Sequence, residues 1–256
     1  MTGLIAPLAE LFGPAALAAF LVFVRVGAAM AVLPAFGEQS VPRTVRLALA
    51  LVFTLVVAPS VIPAGPQGTP PGLAALLSEA AAGLVLGLVL RFFVISLQTA
   101  GVIAAQSVSL AQMFAGYGPE PMPALSQLLV IGGLCLAVLS GLHVTLAAYL
   151  ISSYEVLPLG ARPQAGLVHP WALAQVASTF ALAFRLAAPF VIASLLYNLA
   201  LGAINRAMPQ LMVSLIGAPA MTAGALVLMA IAVPYGLWLW HGAMTGFLAA
   251  PFGAGR

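Results

Sequence analysis

Apolar residues fall into six long runs separated by short stretches rich in Pro, Gly and polar side chains. The runs extend from about Pro14 to Pro34, Leu47 to Ile62, Leu73 to Met113, Ala124 to Leu157, Trp171 to Asn205 and Leu211 to Ala250. A helix needs roughly 20 apolar residues to cross a bilayer, so this pattern predicts an all-α, polytopic membrane protein of about six long, kinked segments. The third run is too long for one simple span. As a helix of roughly 40 residues it measures on the order of 60 Å, against a hydrocarbon core of about 30 Å. Either it projects beyond the membrane or its polar half turns back. The fourth run is also too long for a simple span. Pro189 lies inside the fifth run, and Pro219 and Pro234 are expected to break the sixth.

Helical spacing then picks out faces. Gln98, Gly101, Ala105, Ser109 and Gln112 share one side of the third run. That side is small and polar, which suits a helix–helix seam or the lining of a pathway, and one face can serve both. Gly133, Ala137 and Gly141 recur every fourth position and predict a close-packing face. Asn198, Gly202 and Asn205 make a polar stripe that ends at Arg206. There Arg206 is placed to meet the open carbonyls of a helix C-terminus. Tyr235, Trp238 and Trp240 suit an interfacial aromatic belt.

Two connections stand out. Gln106–Pro123 carries hydroxyls, amides, two Gly and three Pro, and cannot continue as a helix through Gly116–Pro123. It is either an ordinary exposed loop or a loop folded into a watery pathway, since irregular backbone in lipid must be covered by protein or line a cavity. The other is Phe36–Arg46, the most charged stretch. Pro42 is expected in the first turn of the next helix with Ser40 as a cap. Arg43 and Arg46 place this loop in the cytoplasm by the positive-inside rule, and the Arg count weakly favours both termini outside it.

Composition sharpens the class. Only 5% of residues are charged and 63% are hydrophobic, against roughly 25% charged in soluble domains. Residues 1–256 read as one membrane domain with no soluble appendage. All eight basic residues are Arg, and a scattered net charge of +3 offers no nucleic-acid surface. The N-terminus lacks a positive n-region, so no cleavable signal peptide is expected. Cys135 is the single cysteine and has no partner for an intrachain disulfide. The three His are dispersed, and no Asp exists to orient one. No catalytic triad, HExxH, CxxC or P-loop is readable, so neither enzyme activity nor a cofactor or metal site is expected. Arg25 lies in the middle of the first run, where a charge needs protein or water. Pairing with a Glu on another segment is preferred to a transport role, and Glu79 is the best placed of the five.

Three stretches resemble the FliR family of flagellar export-gate proteins and their relatives in virulence type III secretion. They are Ser40–Arg43 with Arg46–Ala50, the central loop ending in Met122-Pro123, and Asn198–Gln210 followed by Ile216-Gly217 and Pro219. The resemblance implies a noncatalytic subunit in the bacterial inner membrane, at the flagellar basal body. It further implies a fold like a FliP-like plus FliQ-like fusion, arranged as helical hairpins. Such a subunit assembles with FliP-like and FliQ-like partners, closes their ring, contacts an FlhB-like switch protein and passes unfolded export substrates. By position, the family's plug loop corresponds to Gln106–Pro123. Met113, Phe114, Gly116, Tyr117, Gly118, Glu120 and Met122 are then the expected plug and gating residues. Pro42, Arg43, Arg46, Asn198, Gly202, Asn205, Arg206, Pro209 and Gln210 are the expected motif and subunit-contact positions. The chain departs from the pattern at Ala115-Gly116, where the family often has Asp-Pro, and at Ser214 and Ala218, where aromatics are common.

Other classes remain open at this point: a virulence-system gate subunit, a small-molecule secondary transporter using intramembrane Arg25 and Arg185, or a membrane scaffold. The expected topology has a direct check. A cysteine at Ser40 should react with a membrane-impermeant thiol reagent only from the cytoplasmic side. Labelling from outside intact cells would overturn the assignment.

Overall fold

The computed structural model describes residues 6–38, 41–62, 72–109, 123–161, 165–208 and 213–253. Among these the chain is helical, with no strand. The helices are α1 (Ala6–Met30), α2 (Arg43–Val61), α3 (Leu73–Ser109), α4 (Ala124–Leu139), α5 (Leu142–Val156), α6 (Ala165–Ala207) and α7 (Val213–Ala249). Five are long and apolar enough to cross a membrane, and α4 with α5 make a sixth if counted as one broken span. The protein is a polytopic helical membrane protein, as the six apolar runs predict.

The breaks fall where backbone chemistry puts them, and several differ from expectation. Gly13 interrupts α1 with φ 74 and ψ 163, and Pro14 restarts the helix. Proline suits that opening position because its ring fixes a helical φ and its missing N–H would be unpaired anyway. Pro42 is the N-cap of α2, one residue before the first turn, and no side chain caps that end; Ser40 lies outside the described residues. The third run remains one helix to Ser109. The fourth is the one that breaks, at Ser140-Gly141. Gly141 adopts φ 85 and ψ 33, a left-handed conformation that costs glycine little. It is therefore a break and not a third member of a packing face. Pro219 and Pro234 do not break the sixth run, which forms the single helix α7.

The chain divides into two compact units. The first comprises Met1–Phe92, Ala137–Val176 and Thr245–Arg256. Its core holds Val22, Val26 and Leu33 near α1, Val57 from α2, Leu86 and Leu90 from α3, and Leu146 and Leu150 from α5. Tyr149 is buried with them. Its hydroxyl donates to the Leu86 carbonyl at 3.3 Å, and its ring stacks on Phe252 at 5.7 Å between centroids. Helices α1 and α3 touch backbone to backbone. A Cβ on Gly83 would collide with the Arg25 carbonyl, and one on Gly87 would lie 2.6 Å from the Ala29 carbonyl. This Gly-x-x-x-Gly pair on α3 is the close-packing motif of the first unit.

The second unit comprises Phe93–Leu136 and Ala177–Met244. Here α3 meets α4 at Gly101, which lies against the Ser126 backbone, and the Ser126 hydroxyl donates to the Gln98 carbonyl at 3.1 Å. The Gln98–Gly101 part of the polar face is thus a seam. Gly133 faces Leu97 and the Trp240 ring. Trp240 is 1% exposed and donates to the Phe93 carbonyl at 2.8 Å. It belongs to the core and not to an aromatic belt. Tyr235 and Trp238 are exposed, as a belt requires.

Gly87→Val should lower stability by roughly 1–3 kcal/mol, because backbone atoms on α1 cannot yield to the added side chain. Gly246→Ala, facing open space, should be close to neutral. The intact fraction surviving heating in detergent, read by size exclusion, checks both.

Candidate functional site

The first unit holds one fully buried cluster of charge. Arg25 and Glu79 are both 0% exposed. Arg25 Nε donates to Glu79 Oε2 at 2.6 Å, and Nη2 donates to Oε1 at 3.1 Å. This is the bidentate fork that a guanidinium makes with a carboxylate. Nη1 donates to Ser153 Oγ at 3.2 Å, and Nη2 donates also to the Leu157 carbonyl at 3.0 Å. The Tyr154 ring lies under the guanidinium, 3.7 Å from its carbon to the ring centroid. Glu79 Oε1 accepts further from the Gly160 backbone N–H at 2.7 Å. Gly160 sits at φ 75, a conformation that lets the turn bring its N–H there. One ion pair therefore ties α1, α3, α5 and the turn after α5. The preferred sequence reading of Arg25, a structural pair with Glu79, is the geometry observed.

A second pair was not legible in the sequence. Arg91 on α3 donates through Nη1 to Glu38 Oε1, anchoring the loop before α2. Phe36 of the same loop meets Phe53 edge-on at 6.0 Å. Arg91 stands alone in an apolar run, and nothing in its spacing points back to Glu38. Arg46 folds onto the loop as well, with Nε and Nη2 donating to the Val41 carbonyl at 3.2 and 3.1 Å. Arg43 is exposed on the first turn of α2.

In the second unit the polar stripe of α6 is exposed at Asn198, Gly202, Asn205 and Arg206. Its near end is tied to α3. Asn198 Nδ2 donates to Ser194 Oγ at 3.3 Å, and the buried Ser194 hydroxyl donates to the Ser107 carbonyl at the end of α3. Sequence reading passed over Ser194, although it precedes Asn198 by one helical turn. Arg206 lies in the last turn of α6. Ala104, Ala105, Leu125, Phe190 and Met229 line an apolar cavity of about 190 Å³. Met113, Phe114, Gly116, Tyr117, Gly118, Glu120 and Met122 lie outside the described residues, as do Pro209 and Gln210. Among the described residues no group of three or more His, Cys, Asp or Glu could hold a metal.

This all-helical chain has relatives. It is 34% identical over 227 residues to the flagellar biosynthetic protein FliR of Caulobacter vibrioides, covering 87% of this chain and 90% of that one. It is 31% identical over 217 residues to FliR of Escherichia coli, covering 82% of each. FliR of Bacillus subtilis is 27% identical over 218 residues. A family model described as bacterial export proteins, family 1, matches residues 16–247. The chain belongs to the FliR family of bacterial export proteins. All three stretches that carry the resemblance fall within the matched residues. So do Arg25, Glu79, Ser107 and Ser194, which makes both tethers part of the FliR-like region.

Removing one member of the buried pair should be worse than removing both. Glu79→Ala leaves an uncompensated guanidinium and should cost about 3–5 kcal/mol, whereas Arg25→Met with Glu79→Leu should recover most of that loss. Unfolding midpoints of the single and double variants in matched detergent give the comparison. A double variant as unstable as Glu79→Ala would contradict it.

Proposed function

We propose that this chain is a noncatalytic subunit of the flagellar type III protein export gate in the bacterial inner membrane, at the basal body. The family match over residues 16–247 carries the reading. In this proposal the chain closes a ring of FliP-like and FliQ-like subunits, meets an FlhB-like switch protein, and lends a plug to the path of unfolded substrates. The flagellar names of the relatives favour a flagellar over a virulence system. Arg25 lends a small-molecule transporter no free charge, because it is neutralised by Glu79 and all its hydrogen-bonding nitrogens have acceptors.

The plug is assigned to Met113–Met122, between α3 and α4. A closed protein channel must stop ions yet yield to a polypeptide. That calls for a movable apolar constriction, which also gates by dewetting. Met113, Phe114, Tyr117 and Met122 provide apolar bulk, and methionine adapts to varied shapes. Gly116 and Gly118 supply freedom to swing aside, while Pro119, Pro121 and Pro123 limit the far side to extended states. The tether from Ser194 to Ser107 supports the assignment, since it holds the approach to this segment on the helix that bears the Asn198–Arg206 stripe. That stripe, with Pro209 and Gln210 after it, makes the proposed subunit contacts.

Deleting Ala115–Glu120 in an assembled gate should raise ion conductance and leave the complex intact. Planar-bilayer or whole-cell conductance, alongside co-purification of the FliP-like and FliQ-like partners, reads both properties. An intact mutant gate as ion-tight as the parent would sink the plug assignment.

A further inference from the structure

Between α1 and the start of α2 the first unit carries a groove of about 390 Å³. Its floor includes Phe23, Gly27, Ala31 and Leu47, and Arg43 and Arg46 line it with them. The volume falls within the roughly 300–1,000 Å³ typical of small-molecule sites. A Cβ on Gly27 would meet nothing within 4 Å, so this part of the floor is open. The charge balance is one-sided. Among the described residues the ion pairs are Arg25 with Glu79 and Arg91 with Glu38. Arg43 and Arg46 therefore have no carboxylate there, and Arg46 spends two of its nitrogens on the Val41 carbonyl. Helices α1 and α2 are both candidate membrane spans, so the floor lies along apolar helices and the guanidiniums lie at the end of one.

We infer that this groove seats a phospholipid with an anionic headgroup: its phosphate meets Arg43 and Arg46, and an acyl chain lies along the Phe23–Ala31 side of α1. Guanidinium forks match phosphate oxygens, and basic pockets between membrane helices take acidic headgroups. A free phosphate has no use for the apolar floor, and a zwitterionic lipid leaves the charge uncompensated. The inference stands apart from the plug, and it holds whether or not the loop seals a channel.

The test uses the full chain in nanodiscs of phosphatidylcholine with a minor share of phosphatidylglycerol. After detergent extraction, native mass spectrometry counts retained lipid. The parent should retain one phosphatidylglycerol in preference to phosphatidylcholine by roughly tenfold or more. R43Q/R46Q should lose that preference, and R43K/R46K should keep most of it. Gly27→Leu should abolish retention with both arginines in place, because the new side chain fills the floor. Should R43Q/R46Q fail to fold, the lysine pair and Gly27→Leu decide. A parent without preference, a preference surviving R43Q/R46Q, or retention undisturbed in Gly27→Leu would each overturn the site. So would displacement of the lipid by inorganic phosphate alone, or a partner-protein segment crosslinking from position 27 in the assembled gate.

Discussion

The Arg25–Glu79 pair is the interaction on which the first unit depends. Taking two charges out of water costs several kcal/mol per ion, and their attraction repays it only when geometry and remaining hydrogen bonds are nearly complete. Here they are: both carboxylate oxygens accept from the guanidinium, and Ser153, Leu157 and Gly160 take up most of the remaining valences. The pair also does what apolar packing cannot do in a membrane. Lipid tails are as apolar as Leu, so burial alone does not hold an apolar helix face against its neighbour. A bidentate fork has one register. It fixes α1 against α3 where Gly83 lets the backbones meet, and it pins the turn after α5 through Gly160.

The sequence revealed the fold class because hydropathy and helix length are additive along a chain, and no tertiary fact was needed to find the spans. It revealed the Arg25 partner by elimination: an arginine inside an apolar run must be matched, and few carboxylates exist to match it. What it misjudged turns on single residues. Pro219 and Pro234 look like breaks, yet a long helix absorbs them in α7, whereas Gly141 looks like a packing position and is the true break. Proline removes one backbone donor; glycine at φ 85 reverses the sense of the turn, which sequence spacing does not display. Trp240 looked interfacial by its neighbours, but its indole N–H found a carbonyl inside. Arg91 and Ser194 were invisible because their partners, Glu38 and Ser107, lie far away along the chain.

The surfaces fit a subunit of a larger membrane assembly. Leu55 is 74% exposed on α2 and Leu199 71% exposed on α6. In water such faces would aggregate; in a bilayer they meet tails or neighbouring helices. Polar groups among them, Asn198 and Asn205 above all, are what give a helix a reason to choose a protein neighbour over lipid.

The buried pair also has a history in time. Glu79 follows Arg25 by 54 residues, and Ser153 follows it by 128. At roughly 5–20 residues per second, the ribosome delivers the carboxylate several seconds after the guanidinium and the hydroxyl later still. During that interval α1 carries an unanswered charge, and the arginine must reach water or headgroups to be tolerated. Stable burial of the first helix thus waits on the third, and the N-terminal segment enters the membrane as half of a pair.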